Sequence, residues 1–112
     1  MIPEGMPKPP RHLTPATKRW WRSVAAEYEL EKHQVHLLTL AAEARDRGEG
    51  ARKVIAREGL TYTDRFGQPR ARPEVAIERD ARIAFARLVR ELAFDVDAPG
   101  DGTRPPRAGG RR

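Results

Sequence analysis

LTYTDRFGQPRARPEVAIERDARIAFARLVREL, residues Leu60 to Leu92, is the stretch whose reading decides the fold. Its first part reads as a short polar strand pair. LTYT feeds a turn at Asp64-Arg65-Phe66-Gly67, and Pro69 limits the return limb, Gln68 to Arg72, to a short edge pairing. Pro73 then stands at a first helical position, where no N–H is needed, with Glu74 beside it. The helix that follows is predicted to reach about Leu92. Ile77, Ala81, Ala84, Leu88 and Leu92 form its apolar stripe, and Phe85 and Val89 widen it beyond a coiled-coil seam.

A face this broad has room for two partners, one edge meeting the preceding helices and the other a neighbouring subunit. A wide intramolecular face is the simpler alternative. The opposite side mixes Arg79, Arg82, Arg87 and Arg90 with Glu78, Asp80 and Glu91, a salt-bridge surface in which Ile83 alone hints at a further contact. Ile83, Phe85, Leu88, Val89 and Leu92 are therefore the candidates for an oligomer interface.

Upstream, Thr14-Pro15 announces a first helix: the threonine can cap free backbone donors and the proline fits the first turn. It is expected to run to about Glu29, with Trp20, Val24 and Tyr28 four apart and Trp21 and Ala25 broadening the face. Helical spacing explains both tryptophans as core; base-stacking platforms are the alternative. Lys18, Arg19 and Arg22 concentrate positive charge in the N-terminal half of this helix, where it opposes the macrodipole and so suits an outside partner. A second helix, about Glu31 to Arg47, carries Val35, Leu38 and Ala42 on one line, with Leu37, Ala41 and Ala44 beside it. Gly48 and Gly50 are expected to break or bend it, leaving Ala51, Val54 and Ile55 on a short third helix that stops at Gly59. The expected fold is thus mainly α: about four helices, with a short β-hairpin before the last long one.

Three regions follow: a proline-rich leader over 1–12, a helical domain over 13–95, and a Gly/Pro/Arg tail over 96–112 expected to be disordered. Of the 112 residues, none is cysteine, so neither a disulfide framework nor a thiolate metal site is available. With the ends removed, on the order of 80 residues must hold themselves by packing, a marginal size that self-association would relieve. No apolar run approaches a membrane span and no apolar signal core follows Lys8, so the chain is expected to stay in the cytosol.

The formal charge of +6 points to a polyanionic partner. On the hairpin, Arg65, Arg70 and Arg72 stand against a single Asp64 and join Lys18, Arg19 and Arg22 as candidate DNA contacts; a solvated loop is the alternative. Arg104, Arg107, Arg111 and Arg112 in the tail, and Lys8 and Arg11 in the leader, could add to them. No catalytic constellation is visible. Ser23 is the only serine, and the RGEG segment lacks both the Lys-Ser/Thr and the preceding strand of a phosphate loop. His33 and His36 lie three apart without a carboxylate or third histidine at ligand spacing, so no metal and no cofactor is expected.

The order of these elements resembles the small subunit of tailed-phage terminases over roughly Thr14 to Asp95. In that family a G-Q-x-x-x-x-P link after a short hairpin leads into a helix ending L-x-x-E-L-(G/A)-(L/F). The matching residues are Gly67, Gln68 and Pro73, then Leu88, Glu91, Leu92, Ala93 and Phe94, with Ala93 where glycine is more usual. The resemblance implies a non-enzymatic protein of the host cytoplasm that assembles as a homo-oligomeric ring and holds double-stranded viral DNA. It also implies control of the ATPase and nuclease of the terminase large subunit. Two other readings stay open from the residues: a dimeric helix-turn-helix-like regulator, and an adaptor that binds no DNA.

Overall fold

The computed structural model describes residues 7–95. Three helices and one antiparallel strand pair follow in the order α1 (Pro15–Glu27), α2 (Lys32–Glu58), β1 (Thr61–Thr63), β2 (Pro69–Ala71) and α3 (Pro73–Asp95). The tail over 96–112 and the first six residues of the leader lie outside the described residues.

Helix α1 begins as its sequence signals. The Thr14 side chain accepts from the Thr17 N–H and Pro15 occupies the first turn. It ends two residues before the expected Glu29, because Tyr28 is already extended, at φ −126° and ψ 151°. That turn of the chain brings Leu30 back against the core.

Four helices were expected and there are three. The segments read as a second and a third helix are one continuous α2 that runs through Gly48 and Gly50. Two glycines inside a helix cost it about 0.5–1 kcal/mol each relative to alanine. Tertiary packing outweighs that penalty at Gly48: a Cβ placed there would lie 3.3 Å from the Ala81 Cβ of α3. The missing side chain is what lets the two helices approach. Gly50 has nothing within 4 Å of its would-be Cβ and supports no such contact. At its start α2 is tied by the Glu31 N–H, which donates to Gln34 Oε1 at 2.7 Å. It stops at Gly59, whose φ of 93° suits a residue without Cβ and whose N–H reaches the Ile55 carbonyl at 2.7 Å.

Helix α3 returns along α2, and these two make the most extensive contact between elements. Along α3 the line turned inward is Ala81 and Leu92, with Glu78 and Phe85 half-buried, whereas Ile77 stays 42% exposed. Of the expected stripe, Ala81 and Leu92 are buried, Ala84 and Leu88 half-buried, and Ile77 exposed. The core gathers where α1 crosses the pair: Leu13, Trp21, Ala25, Leu38, Ala42 and Leu92 are buried together, with Trp20, Val24, Tyr28 and Val35 packed around them. Trp20 meets the Phe85 ring at 5.3 Å between centroids. Both tryptophans are thus engaged within the chain.

A polar cluster fixes the start of α1 to the middle of α2. Thr17, fully buried, donates to Asp46 Oδ1 at 2.6 Å and accepts from Arg45 Nη1 at 2.6 Å. The Thr14 N–H and hydroxyl both donate to the same carboxylate, at 3.0 and 2.9 Å. His12 and Glu43 are 2.9 Å apart just beyond. The other end of the long helix pair has no comparable core, since every residue of β1 and β2 is exposed. The result is elongated: the radius of gyration is 18.2 Å, against about 12 Å for a compact chain of the described length.

Candidate nucleic-acid interface

The hairpin pairs Thr61 with Ala71, Tyr62 with Arg70 and Thr63 with Pro69. Leu60 accepts from the Arg72 N–H at 2.9 Å and the Asp64 N–H donates to Gln68 at 2.9 Å. Antiparallel bonding alternates, so the Thr63–Pro69 pair falls where neither nitrogen faces the partner strand, and proline forfeits no ladder bond. The pleat then sorts the ribbon into two faces. Leu60, Tyr62, Arg70 and Arg72 share one; Thr61, Thr63, Pro69 and Ala71 share the other. One face combines apolar and cationic groups, and its opposite carries no charge.

Asp64 organises the turn. Its Oδ1 accepts from the Phe66 and Gln68 N–H groups, each at 2.9 Å, and its Oδ2 accepts from Arg70 Nε at 2.9 Å. The Arg70 hydrogen bond, then that from the Gln68 N–H, hold the Asp64 carboxyl below its ordinary value. Gly67, at φ 78°, closes the turn with its N–H on the Asp64 carbonyl at 3.0 Å. At the tip Phe66 is 71% exposed, and the Arg65 guanidinium lies 4.9 Å from its ring centre.

The three hairpin arginines are not equivalent. Arg72 Nη2 donates to the Glu58 carbonyl at 3.3 Å and approaches its carboxylate at 3.9 Å, while its Nε is buried without a hydrogen-bond partner among the described residues. It ties the hairpin to the end of α2. The hydrogen bond from Arg57, more than Arg72, lowers the Glu58 carboxyl. Arg70 keeps 60% of its side chain exposed despite its pairing with Asp64. Arg65 makes no carboxylate contact among the described residues. Charge extends from the hairpin into the last turns of α2: residues 51–72 hold six cations, Arg52, Lys53, Arg57, Arg65, Arg70 and Arg72, and two carboxylates, Glu58 and Asp64, with Arg52 paired to Glu49 at 2.6 Å.

The helix cations lie elsewhere. Arg19 and Arg22 are exposed and Lys18 half-buried on α1. Helix α1 docks at Asp46, whereas the hairpin begins after Glu58, about 18 Å further along α2 at 1.5 Å per residue. The structure therefore holds two basic regions where the sequence suggested one set.

The interface candidates also divide. Leu92 is buried in the core and Phe85 lies against Trp20, so their surfaces are used within the chain. Ile83 is 52% exposed and, with Ala84 and Leu88, lines an open depression on α3 bordered by Asp80 and Arg87. Val89 is half-buried and does not line it. The expected salt-bridge surface of α3 is present in part, as Arg82 grips Glu78 through two contacts of 3.2 Å and Arg79 meets Asp80 at 3.4 Å.

Comparison with known protein families decides the class. A family model described as phage terminase, small subunit, matches residues 17–100, most of the chain. The protein belongs to the phage terminase small-subunit family. Membership supports a role in phage DNA packaging and association, in general, with DNA and a terminase large subunit. Neither the curated proteins nor the solved structures compared gave a match. Among the described residues of this terminase small subunit, no group of three or more His, Asp or Glu side chains gathers around a point, and no helix is long and apolar enough to cross a membrane.

The exposed ring of Phe66 has no sequence signal of its own, whereas the brace that presents it does: Asp64 bonds the backbone two residues on, in a turn closed by Gly67. Sequence reasoning passed over Asp46 and Thr17, which lie 29 residues apart and meet only through the fold.

Proposed function

We propose that this terminase small subunit binds double-stranded viral DNA through its basic hairpin end. In this reading it works as a non-enzymatic homo-oligomeric ring that regulates the ATPase and nuclease of the large subunit. The single observation that carries the DNA assignment is the hairpin end itself: an exposed ribbon, braced by Asp64, in a segment whose sequence carries more cations than carboxylates and whose Arg65 and Arg70 stay open to solvent. Backbone phosphates recognise such a surface without regard to sequence. Arg65 and Arg70 are the hairpin contacts; Arg72, held by Glu58, fixes their platform.

Lys18, Arg19 and Arg22 form a second contact region, separated along the molecule. Such a division suits an assembly in which neighbouring copies present hairpins and α1 helices in turn, so that weak phosphate contacts sum. The open depression at Ile83, Ala84 and Leu88 is the assembly face in this reading. Apolar surface left uncovered on so small a domain favours association.

Native mass spectrometry of the full chain, with and without a duplex, tests this function. The expected result is a closed multiple of more than two subunits that takes up duplex DNA at low salt. A dimer that binds duplex would favour the helix-turn-helix-like regulator instead, and an assembly indifferent to DNA at every ionic strength would favour the adaptor.

A further inference from the structure

We infer that Phe66 is a wedge whose ring enters between adjacent base pairs of the bound duplex and kinks it; the inference rests on the hairpin being the DNA-contact end. Of the large hydrophobic side chains exposed among the described residues, Phe66 is the most exposed, at 71%. Its position is not an accident of a loose loop. Asp64 holds the Phe66 N–H at 2.9 Å, the Gln68 N–H at 2.9 Å and the Arg70 side chain at 2.9 Å, so the turn that presents the ring is already braced before any partner arrives. Ordering costs little on binding when the contact geometry is preset.

What surrounds the ring selects the partner. Arg65 lies over one face of Phe66 and Arg70, bound to Asp64 of the same turn, keeps most of its side chain exposed close behind, so an incoming surface meets an apolar ring flanked by cations. A neutral apolar pocket would have to desolvate those guanidinium groups. A duplex satisfies both features together, because its phosphates flank stacked bases that offer an apolar face. Apolar wedges of this kind unstack one step, bend the duplex by about 20–90° and recover the cost through added backbone contact. A sequence preference follows without any base hydrogen bond: pyrimidine–purine steps such as TA and CA, which unstack most easily, are the favoured sites.

The experiment uses the full chain with short duplexes carrying 2-aminopurine beside a single TA step and a fluorophore pair at the ends. The expected result for the unaltered protein is a rise in 2-aminopurine fluorescence and a shortened end-to-end distance on binding. Phe66→Ala abolishes both signals and weakens binding by about tenfold, within the range one base–aromatic contact contributes. Phe66→Leu, which keeps an apolar wedge, retains the bend. Tight binding by the unaltered protein with neither signal overturns the wedge and leaves the hairpin as a phosphate contact. Loss of native mass in Phe66→Ala, with DNA signals intact, also overturns it and assigns the ring to a pocket on a neighbouring copy. If the unaltered protein binds no duplex at any ionic strength, the wedge falls together with the DNA reading beneath it.

Discussion

The two ends of this molecule are built on opposite principles. At the α1 end, residues distant in sequence meet: Trp21 and Leu38 are fully buried, Leu92 comes from the far end of α3, and Thr17 reaches Asp46 across 29 residues. At the hairpin end the ribbon's hydrogen bonds and ion pairs among the described residues come from within residues 58–72. Asp64 braces its own turn, Arg72 returns to Glu58, and no strand residue is buried. The difference teaches where stability resides and which surface is free for other work. Substitutions at the first end should change folding, and those at the second should change binding alone.

The strongest way to break this contrast is at Trp21, whose side chain is fully buried and whose Nε1 approaches Thr39 Oγ1 at 3.5 Å. Trp21→Ala should cost about 3–5 kcal/mol, a large share of the stability of a domain this small, and lower the urea midpoint sharply. A midpoint near that of the unaltered protein would mean that α1 does not anchor the core.

A smaller effect is expected at Asp46. Burial pushes its carboxyl up, but hydrogen bonds from Thr17 and Thr14 and the nearby Arg45 outweigh that and leave its pKa below the ordinary 3.8. A depressed folded-state pKa contributes stability that is complete above the unfolded value and disappears as pH falls through the folded one. Asp46→Ala should therefore lose about 1–2 kcal/mol at neutral pH, the carboxylate being partly screened by water. The gap to the unaltered protein should narrow in acid. Parallel melting curves at pH 7 and pH 3 measure it, and a gap that widens in acid would contradict the assignment.

Along α2, between the two ends, the pair of glycines sharpens the comparison further. Gly50→Ala meets open space and should stabilise the helix by about 0.5–1 kcal/mol. Gly48→Ala brings a methyl to 3.3 Å from Ala81 Cβ and should gain less or lose stability. Equal gains at both positions in thermal denaturation would remove close helix packing as the reason α2 runs through Gly48.

Much of this plan is legible in the residues, and the limits have physical causes. The Thr14-Pro15 start, the hairpin and Pro73 as the first residue of α3 follow from local chemistry: a cap, a turn closed by Gly67, and a ring that needs no donor. Gly48 misled because helix propensity is local, whereas the fit against Ala81 belongs to a partner 33 residues away. The candidate arginines were identifiable by type, but their sorting was not. Whether an arginine faces solvent, as Arg65 does, or turns back on Glu58, as Arg72 does, depends on where α2 ends beside the ribbon. Likewise the apolar residues of α3 announced a broad face without saying that Leu92 belongs to the core and Ile83 does not.

The central claim, that the hairpin end binds and the α1 end supports, meets its most direct test in the salt dependence of duplex affinity for Arg65→Ala/Arg70→Ala. Both side chains are exposed, so the melting temperature should be unchanged. The slope of log affinity against log salt should fall by about 2, close to 0.9 for each phosphate contact removed. An unchanged slope in a normally folded double variant would contradict the account and move the DNA contacts away from the hairpin.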